Sequence, residues 1–454
     1  MEKGLYDSID NKQFYKMVFI LVIPMALQNL INVGVSAADV VMLGKVSETA
    51  VSAASLAGQI QYIMTLIFFG LTSGAAVLTA QYWGKRDIRT IEKVLAMTIR
   101  FALVVAVIFT IAAQLIPEQL IRIYSTEQDV IAEGVVYLKI TSIGFLVSAV
   151  TMIYLNIMRS VERVIISTVV YFVSLIINIV LNSILIFGLF GLPKLGVVGA
   201  AYATLTARIS EFVIVLLYSK FYNKEVKFHV RDFFITDKLL MKDFIRYALP
   251  VVINELMWGL GTSANTAIIG HLGKAAVAGN AVAQVTRQLA TVVTFGLANA
   301  TAITVGKAIG EGKQHLARGY ARKFMHISIV LGVLGAGLIL LVSPIARANL
   351  SLTDTASSYL KFMMFVMSYF TIGQAFNTTM IVGIFRAGGD TVFGLILDVT
   401  TMWCCSILLG FLAAFVWNLP VQAVYVILMS DEIVKVPLTY FRYRSCKWLK
   451  NVTR

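Results

Sequence analysis

Two long stretches of this chain repeat each other at a constant offset. Pro24 recurs 226 residues later as Pro250, and Gly84 recurs at the same offset as Gly310. Both copies lie in long apolar runs, so the repeat indicates two related helix bundles within one membrane protein. Internal repeats of this kind in transporters place the substrate between the two bundles. The repeat therefore predicts a chain of two halves and points to transport.

The composition is that of an integral membrane protein. Of 454 residues, 58% are hydrophobic and 14% are charged, and the mean hydropathy is +0.82. A helix needs about 20 apolar residues to cross a hydrocarbon core of about 30 Å. The long runs are apolar on all sides instead of alternating, which favours helices over a β-barrel. We predict twelve spans, at residues 17–38, 52–80, 94–116, 132–156, 164–189, 196–219, 246–269, 278–306, 325–345, 358–384, 392–416 and 421–440.

One long polar segment, residues 220–246, separates the first six spans from the last six. Both halves then enter the membrane in the same direction, as in parallel repeats related by an axis along the membrane normal. We predict an all-α integral membrane protein with twelve transmembrane helices in two pseudo-symmetric six-helix lobes. Residues 1–219 form the first lobe, residues 220–246 a cytoplasmic linker, and residues 247–454 the second lobe and tail.

The formal net charge of +14 follows this topology. With both termini in the cytoplasm, 27 of the 38 Lys and Arg residues fall in cytoplasmic segments and 5 in external loops. The positive-inside rule accounts for such a distribution. No basic patch is interleaved with aromatic residues on a polar domain, so we expect no nucleic-acid partner. Polar residues interrupt the first span, unlike the apolar core of a cleaved signal peptide, so we expect this span to be retained.

Motifs for cofactor chemistry are missing from the sequence. None of the five Gly-Lys dipeptides has the glycine five residues earlier and the Ser or Thr that complete a phosphate-binding loop. The four histidines show no metal-ligand spacing, and three cysteines cannot form a disulfide framework. We therefore expect no cofactor and no enzymatic activity. A transporter without a nucleotide site must use an ion gradient, so ionisable residues inside the predicted spans become the candidates for coupling.

Glu255 is the first of these candidates. It lies 10 to 12 residues into the seventh span, about 16 Å along a helix, and hence near the middle of the membrane. No basic residue lies within helical reach in the sequence. Such a carboxyl group can exchange a proton or hold a cation. Alternatively, it is a protonated structural carboxyl that neighbours such as Asn254 satisfy.

Asp39 is the second candidate, in the outer part of the first span. The repeat pairs Asp39 with Asn265, and it pairs Glu255 with Asn29. Each half thus carries an acid where the other half carries an amide, which indicates that the halves are not functionally equivalent. Asp39 either takes part in cation coupling or is a solvated residue at the interface.

Several motifs together resemble the multidrug and toxic compound extrusion (MATE) transporters. They are PMALQNLINVGVSAADVVMLG, its second copy NELMWGLGTSANTAIIGHLG, the segment SLIINIVLNSILIFGLFGLPKLGVVGAAYAT and the late FRAGGDT. The similarity covers nearly the whole chain in order and spacing. The resemblance implies a V-shaped pair of six-helix lobes that alternate between outward-open and inward-open states. It also implies export of organic cations or other amphipathic compounds in exchange for Na⁺ or H⁺.

The resemblance further implies a cation site in the first lobe. The family places an aspartate on the first helix, an Asn and an Asp one turn apart on the fifth, and a threonine on the sixth. These positions match Asp39, Asn178, Asn182 and Thr204 in this sequence. Because an amide replaces the second acid at position 182, the site carries one formal charge instead of two, which weakens its attraction for Na⁺.

In the second lobe, Glu255 matches an acidic position on the seventh helix of many bacterial members. Where some members carry an acid on the tenth helix, this sequence offers Gln374 and Asn377. A Na⁺ ion could be held at Glu255 or at Asp39. Arg287 in the eighth span either pairs with Glu255, or extends towards the interface or a polar cavity wall.

Other charged residues have local explanations. Asp431 and Lys435 are four residues apart on the twelfth span, and Arg208 and Glu211 are three apart on the sixth, so each pair can neutralise itself.

Two acids near the eleventh span are less defined. Asp390 is placed in a cytoplasmic loop beside Arg386, where it forms either a conformation-dependent charge clamp or a solvated turn. The sequence assigns no role to Asp398.

Two other classes of function compete with transport. A flippase for a lipid-linked precursor could share the scaffold, but it should carry a strongly cationic cavity, whereas the basic residues here lie mainly outside the spans. An intramembrane enzyme would need Asp, His or Ser residues that converge at mid-membrane. We therefore predict a monomeric multi-pass antiporter of the cell membrane. Its partners are organic cations or amphipathic drugs and the lipid bilayer, and H⁺ or Na⁺ is the coupling ion.

Overall fold

A computed structural model describes residues 11–191, 193–234, 237–349 and 353–453. Within these ranges the chain is helical and contains no β-strand. The α-helices are α1 Asn11–Gly44, α2 Glu48–Lys85, α3 Ile88–Leu115, α4 Pro117–Arg122, α5 Gln128–Ser142, α6 Phe145–Ser160, α7 Ile165–Phe187, α8 Val197–Leu217, α9 Val230–Phe234, α10 Lys238–His271, α11 Lys274–Gly310, α12 Gln314–Asn349, α13 Asp354–Thr378, α14 Thr391–Val399, α15 Leu409–Phe411, α16 Val421–Leu428 and α17 Asp431–Arg444.

Each of the twelve predicted spans falls on these helices. In the described part of the chain, eight helices are long and apolar enough to cross a membrane, and α5 with α6 adds a ninth span bent by 53°. The three remaining windows coincide with α10, α13 and the pair α16 and α17, whose polar and charged residues interrupt the apolar pattern. The prediction of an all-helical integral membrane protein is confirmed.

The apolar surface of α12 illustrates how the helices meet lipid. Only 28% of its most apolar window is buried within the protein, and Leu334 and Leu341 are 63% and 70% exposed. For α11 the corresponding buried fraction is 61%. Exposed aliphatic side chains on a helix of this length favour contact with acyl chains over contact with water. In this half of the chain, α11 is therefore a central helix and α12 a peripheral one.

The last three spans depart from regular α-helix. A π-helical segment, Thr379–Phe385, follows α13, and two more, Thr400–Leu408 and Leu412–Val416, flank α15. The twelfth span is broken at Met429 and Ser430, between α16 and α17. Such irregular backbone is usually found at functional sites, and in a membrane it needs internal partners for the freed carbonyl groups. The hydroxyl of Ser406 supplies one by donating to the carbonyl of Leu428.

Two compact units make up the structure. The N-terminal unit consists of Leu27–Ala75 and Asp87–Arg246. The C-terminal unit consists of Tyr247–Arg454, Ala76–Arg86 and Met1–Ala26, as far as these ranges are described. The polar segment 220–246 contains a π-helical turn, Tyr218–Tyr222, at its start and then α9, while its residues 235 and 236 lie outside the described residues. The lobe boundaries taken from the sequence stay a prediction.

The repeated glycines meet where the ends of α2 and α11 cross inside the C-terminal unit. A Cβ atom on Gly84 would lie 2.1 Å from the carbonyl oxygen of Lys307, and one on Gly310 would lie 1.8 Å from that of Gln81. Lys307 lies three residues before Gly310, and Gln81 lies three residues before Gly84. Each glycine thus faces the residue three positions before the other glycine, so the crossing follows the symmetry of the repeat. Only a residue without a side chain allows two backbones to approach this closely.

We expect Gly310→Ala to destabilise the protein by about 1–3 kcal/mol, as overpacking of a rigid contact usually does. The obstacle is a backbone carbonyl that no side-chain rotation can remove. Thermal unfolding of the purified protein in detergent measures the effect. Gly337→Ala is the matched control, because a Cβ atom there would meet nothing within 4 Å. Equal melting temperatures for the two variants would show that the crossing is not tightly packed.

Candidate coupling sites and cavity

Asp39 and two of its predicted partners meet in the N-terminal unit. The Asn182 Nδ2 atom donates to Asp39 Oδ1 at 2.5 Å and to Asn178 Oδ1 at 3.1 Å. Asn178 and Asn182 face the same way because they are one helical turn apart on α7. Both are fully buried, and Asn182 Oδ1 has no hydrogen-bond partner among the described residues. The three side chains form a polar cluster with one acid.

A cavity of about 370 Å³ lies next to this cluster, within the N-terminal unit. Its wall includes Asn178, Thr204 and the pair Arg208 and Glu211. Arg208 Nη1 is 2.8 Å from Glu211 Oε1, as predicted from their spacing on α8. Ser174 also donates to Glu211 at 2.5 Å. The cavity thus carries both charges, and the guanidinium group of Arg208 also acts on Asp39 through space.

Glu255 in the C-terminal unit is paired. Its Oε1 atom lies 2.8 Å from Arg386 Nη2, and the two side chains are 12% and 5% exposed. The expectation of a lone carboxyl group is therefore wrong. Arg386 follows the π-helical segment after α13 and is distant from Glu255 in the sequence. Spacing along α10 therefore could not reveal this partner.

Arg287 does not pair with Glu255, so that interpretation is wrong. Its Nε atom donates to Gln284 Oε1 at 3.0 Å, and its Nη1 atom donates to Gln374 Oε1 at 3.0 Å. The guanidinium group also lies 6.0 Å from the centre of the Phe370 ring. Amide acceptors and an aromatic face suit a buried cation, but they do not neutralise it.

An ionic cluster of four side chains around Lys435 was not predicted from the sequence. Lys435 Nζ lies 3.1 Å from Asp398 Oδ1, 3.1 Å from Asp431 Oδ2 and 3.0 Å from Glu432 Oε1. The pairing of Asp431 with Lys435 agrees with the prediction from their spacing. The other contacts depend on the way α14 and α17 pack together, although charged residues within an apolar run, as at Asp398, could have indicated a buried partner.

Polar residues from α10 and α13 surround this ionic cluster. Asn254 Nδ2 donates to Asp398 Oδ2 at 2.9 Å. Asn377 Nδ2 donates to Glu432 Oε2 at 2.8 Å, and Asn377 Oδ1 accepts from Thr439 at 3.0 Å. The predicted residues Asn254 and Asn377 are therefore part of one hydrogen-bonded network with the buried charges.

The two repeat-related amides occupy separate positions in the two units. Asn29 is half-buried in α1 within the N-terminal unit. Asn265 is half-buried in α10, and its Oδ1 atom accepts no hydrogen bond from the described residues. Their predicted part in a cavity or gate stays a prediction.

Asp390 lies outside the spans and is buried between two basic residues, so the solvated turn is wrong, and a conformation-dependent clamp stays a prediction. Arg442 Nε donates to Asp390 Oδ2 at 2.7 Å, and Lys450 Nζ donates to Asp390 Oδ1 at 2.8 Å. Burial alone raises the pKa of Asp390, but the hydrogen bonds from Arg442 and Lys450 outweigh it and hold that pKa below its ordinary value. Asp390 is therefore an anion at neutral pH that anchors the tail of the protein.

A possible metal-ligand group occurs at the polar segment between the halves. Ligand atoms of Glu92, His229 and Asp232 lie within 4.8 Å of one another. Arg89 donates to both Asp232 oxygens at 2.5 Å and to Glu92 Oε2 at 3.1 Å. The guanidinium group already provides the positive charge that a metal ion would bring, so these residues form a salt-bridged clasp.

Apolar helices that carry buried charged groups, arranged in two units, define a multi-pass membrane transporter. The MatE family model matches residues 24–184 and 250–412, which are more than half of the chain and cover both copies of the repeat. The protein belongs to the MATE family of membrane transporters.

Bacterial relatives and solved structures agree with this assignment. The chain is 23% identical over 448 residues to the probable multidrug resistance protein YoeA of Bacillus subtilis, with 97% of this chain and 96% of YoeA covered. It is 23% identical to the probable multidrug resistance protein NorM of Thermotoga maritima, with 95% and 92% covered. Among solved structures, a variant of the Vibrio cholerae MATE transporter VcmN superposes with a TM-score of 0.86 at 16% identity, covering 96% of this chain and 97% of VcmN. A MOP superfamily transporter from Pyrococcus furiosus gives 0.84 at 20% identity, with 95% of each chain covered.

Proposed function

We propose that this protein is a secondary active antiporter that exports organic cations or other amphipathic drugs in exchange for H⁺ or Na⁺. The observation that carries the proposal is the presence of partly buried carboxyl groups in membrane-spanning helices of both units, at Asp39 and Glu255. Ionisable groups in such helices are costly and usually belong to an ion pathway. The names of the relatives YoeA and NorM support multidrug substrates.

The partners of the two acids favour H⁺ over Na⁺. Asp39 has amide partners at Asn178 and Asn182, and Arg208 is already paired with Glu211, so the cluster offers only one net negative charge to a metal ion. Glu255 already has a guanidinium partner in Arg386. A proton binds one oxygen atom directly and needs no coordination shell, whereas Na⁺ prefers several oxygen ligands and a net negative charge.

Coupling then depends on a difference in affinity between two states. When a proton neutralises Glu255, its attraction for Arg386 falls and the helices that carry the two groups can rearrange. An ion that binds one arrangement more tightly shifts the population towards it, and a drug that prefers the other arrangement is released. We propose that the protein works as a monomer with both termini in the cytoplasm, an orientation supported by the 27 Lys and Arg residues in segments that would face inwards.

Efflux from proteoliposomes loaded with a fluorescent organic cation, under separately imposed pH and Na⁺ gradients, tests the proposal. We expect a pH gradient to drive efflux, and we expect Glu255→Gln to lower the driven rate roughly tenfold or more, since the amide cannot exchange a proton. Glu118→Gln is the matched control, because Glu118 is 53% exposed and pairs only with its neighbour Arg122 among the described residues. Efflux that neither gradient affects, or full pH-driven efflux in Glu255→Gln, would contradict the proposal.

A further inference from the structure

The buried charges of the C-terminal unit do not balance. Asp398, Asp431 and Glu432 surround the single ammonium group of Lys435, whose side chain is 3% exposed. Three carboxylates and one ammonium group give the cluster two excess negative charges when all four groups are ionised.

Charged groups on the neighbouring helices reduce this excess without removing it. Glu255 lies in electrostatic range of Asp398 but is paired with Arg386, so that pair adds no net charge. Arg287 on α11 lies in range of Asp431 and Glu432 and contributes one positive charge. Tyr425 is neutral, and its hydroxyl donates to Asn280. One excess negative charge therefore remains, and an apolar interior disfavours it strongly unless the site binds a proton or another monovalent cation.

Lys435 selects the proton. Its Nζ atom lies within 3.1 Å of an oxygen atom of each of the three carboxylates, so it occupies the centre where a metal ion would coordinate them. A Na⁺ ion there would approach the ammonium group closely and be repelled. A proton attaches to the outer oxygen of a single carboxyl group and avoids this repulsion.

Two of the three acids are fixed at the start of α17. Asp431 and Glu432 lie in the first turn of α17, where the helix dipole favours negative charge. The Glu432 carboxylate also accepts a 2.8 Å hydrogen bond from Asn377 and a 3.0 Å hydrogen bond from Lys435. Its carboxylate therefore has donors at both oxygens, and the Asn377 amide is fixed in its orientation because its own oxygen accepts from Thr439.

Asp398 has the surroundings of an exchangeable site. Its side chain is 20% exposed, against 9% for Asp431 and 10% for Glu432, so it is the least buried of the three. Its second oxygen accepts a hydrogen bond from Asn254 Nδ2, while Asn254 Oδ1 is buried and has no partner among the described residues. Asn254 itself is 5% exposed.

Asn254 can serve both protonation states of Asp398. In the present orientation its amide donates to the carboxylate. If the amide turns over, the orphaned oxygen accepts a hydrogen bond from the protonated carboxyl group. Asn254 precedes Glu255 on α10, so a change at Asp398 reaches the helix that carries the pair of Glu255 and Arg386. The break before α17 and the π-helical segment that begins two residues after Asp398 provide backbone that can adjust.

We propose that Asp398, with Asn254 as its hydrogen-bond partner and Lys435 as its counter-ion, is a proton-binding site that takes up one proton per transport cycle. The inference rests on the proposed antiport, since it names a coupling site for that exchange. Asp398 binds the proton, Asn254 positions the Asp398 carboxyl group through its hydrogen bond, and Lys435 excludes Na⁺.

Infrared difference spectra of the purified full-length protein, recorded between acidic and alkaline pH, test the site without a transport assay. In the Glu255→Gln background, where Glu255 cannot contribute, we expect the carbonyl band of a protonated carboxyl group, and we expect Asp398→Asn to remove it and Asp398→Glu to shift it. We expect Asp354→Asn, which changes an exposed acid at the start of α13, to leave the band unchanged. A band that persists in Asp398→Asn and does not move in Asp398→Glu overturns the proposal. If Asp398→Asn does not fold, the shift in Asp398→Glu decides alone.

Proton release on drug binding completes the test. We expect Asp398→Asn to release about one proton fewer per bound tetraphenylphosphonium molecule than the wild type in weakly buffered detergent solution, as the count of one excess charge implies, while Glu255 exchanges its proton in both proteins. Adding Na⁺ should release none, and release by Na⁺ would contradict the exclusion by Lys435. Wild-type protein that shows the Asp398 band but no gradient-driven efflux would contradict the antiport and leave the site standing. Driven efflux with full proton release in Asp398→Asn would contradict the site alone.

Discussion

Lys435→Met is expected to lower the free energy of unfolding by about 3–5 kcal/mol, the usual cost of removing one partner from a buried ion pair. Methionine resembles the aliphatic part of the lysine side chain but has no charge. The substitution therefore leaves Asp398, Asp431 and Glu432 without their shared cation. We expect a larger loss at alkaline pH than at acidic pH, because protonation of the carboxylates relieves their mutual repulsion. Thermal and denaturant unfolding in detergent at several pH values measure the effect.

Lys361→Met is the matched control for this substitution. Lys361 is exposed on α13, so its replacement should change the stability by no more than about 0.5 kcal/mol. Adding Asp398→Asn to Lys435→Met removes one of the stranded charges and should recover part of the loss. If Lys435→Met were as stable as the control at every pH, the three acids would have to be neutral in the folded protein, and the charge count would fail.

The helices could be predicted from the sequence because their signal is local. A run of about 20 apolar residues has few ways to cross a membrane, and each predicted window falls on helix. The same holds for pairs on one helix. Asp431 with Lys435 and Arg208 with Glu211 are three or four residues apart, and helix geometry alone brings such side chains together.

Pairs between helices could not be predicted in this way. The sequence places Arg386 beside the cytoplasmic loop of Asp390, yet the π-helical segment Thr379–Phe385 continues the helix up to Arg386 and changes the direction of the following side chains. Apolar periodicity contains no signal for such a change of register. The partner of Glu255 was therefore missed, and Arg287 was considered in its place. The polar cluster at Asp39 was found through the family resemblance, which supplies contacts that spacing along one helix does not.

A double-mutant cycle on Glu255 and Arg386 should give the second large effect. Arg386→Met alone is expected to cost about 3–5 kcal/mol of stability, because it leaves Glu255 buried without its 2.8 Å partner. Glu255→Gln in the same chain replaces the stranded carboxylate with a neutral group of the same shape. We therefore expect the double variant to be more stable than the sum of the single changes predicts, with a coupling energy of about 1–3 kcal/mol. Unfolding of the four proteins under one set of conditions measures the cycle.

The cycle also separates a structural pair from a coupling pair. If the pair only stabilises the fold, the double variant should regain both stability and pH-driven efflux. If Glu255 exchanges a proton, the double variant should regain stability but remain unable to couple efflux to a pH gradient, since neither Gln nor Met can titrate. Surface pairs such as Arg122 with Glu118, at 2.7 Å and more than half exposed, should give a coupling energy of only about 0.2–1 kcal/mol in the same experiment. A coupling energy for Glu255 and Arg386 within that range would mean that water reaches the pair freely, and a proton bound there would then have little influence on the arrangement of α10.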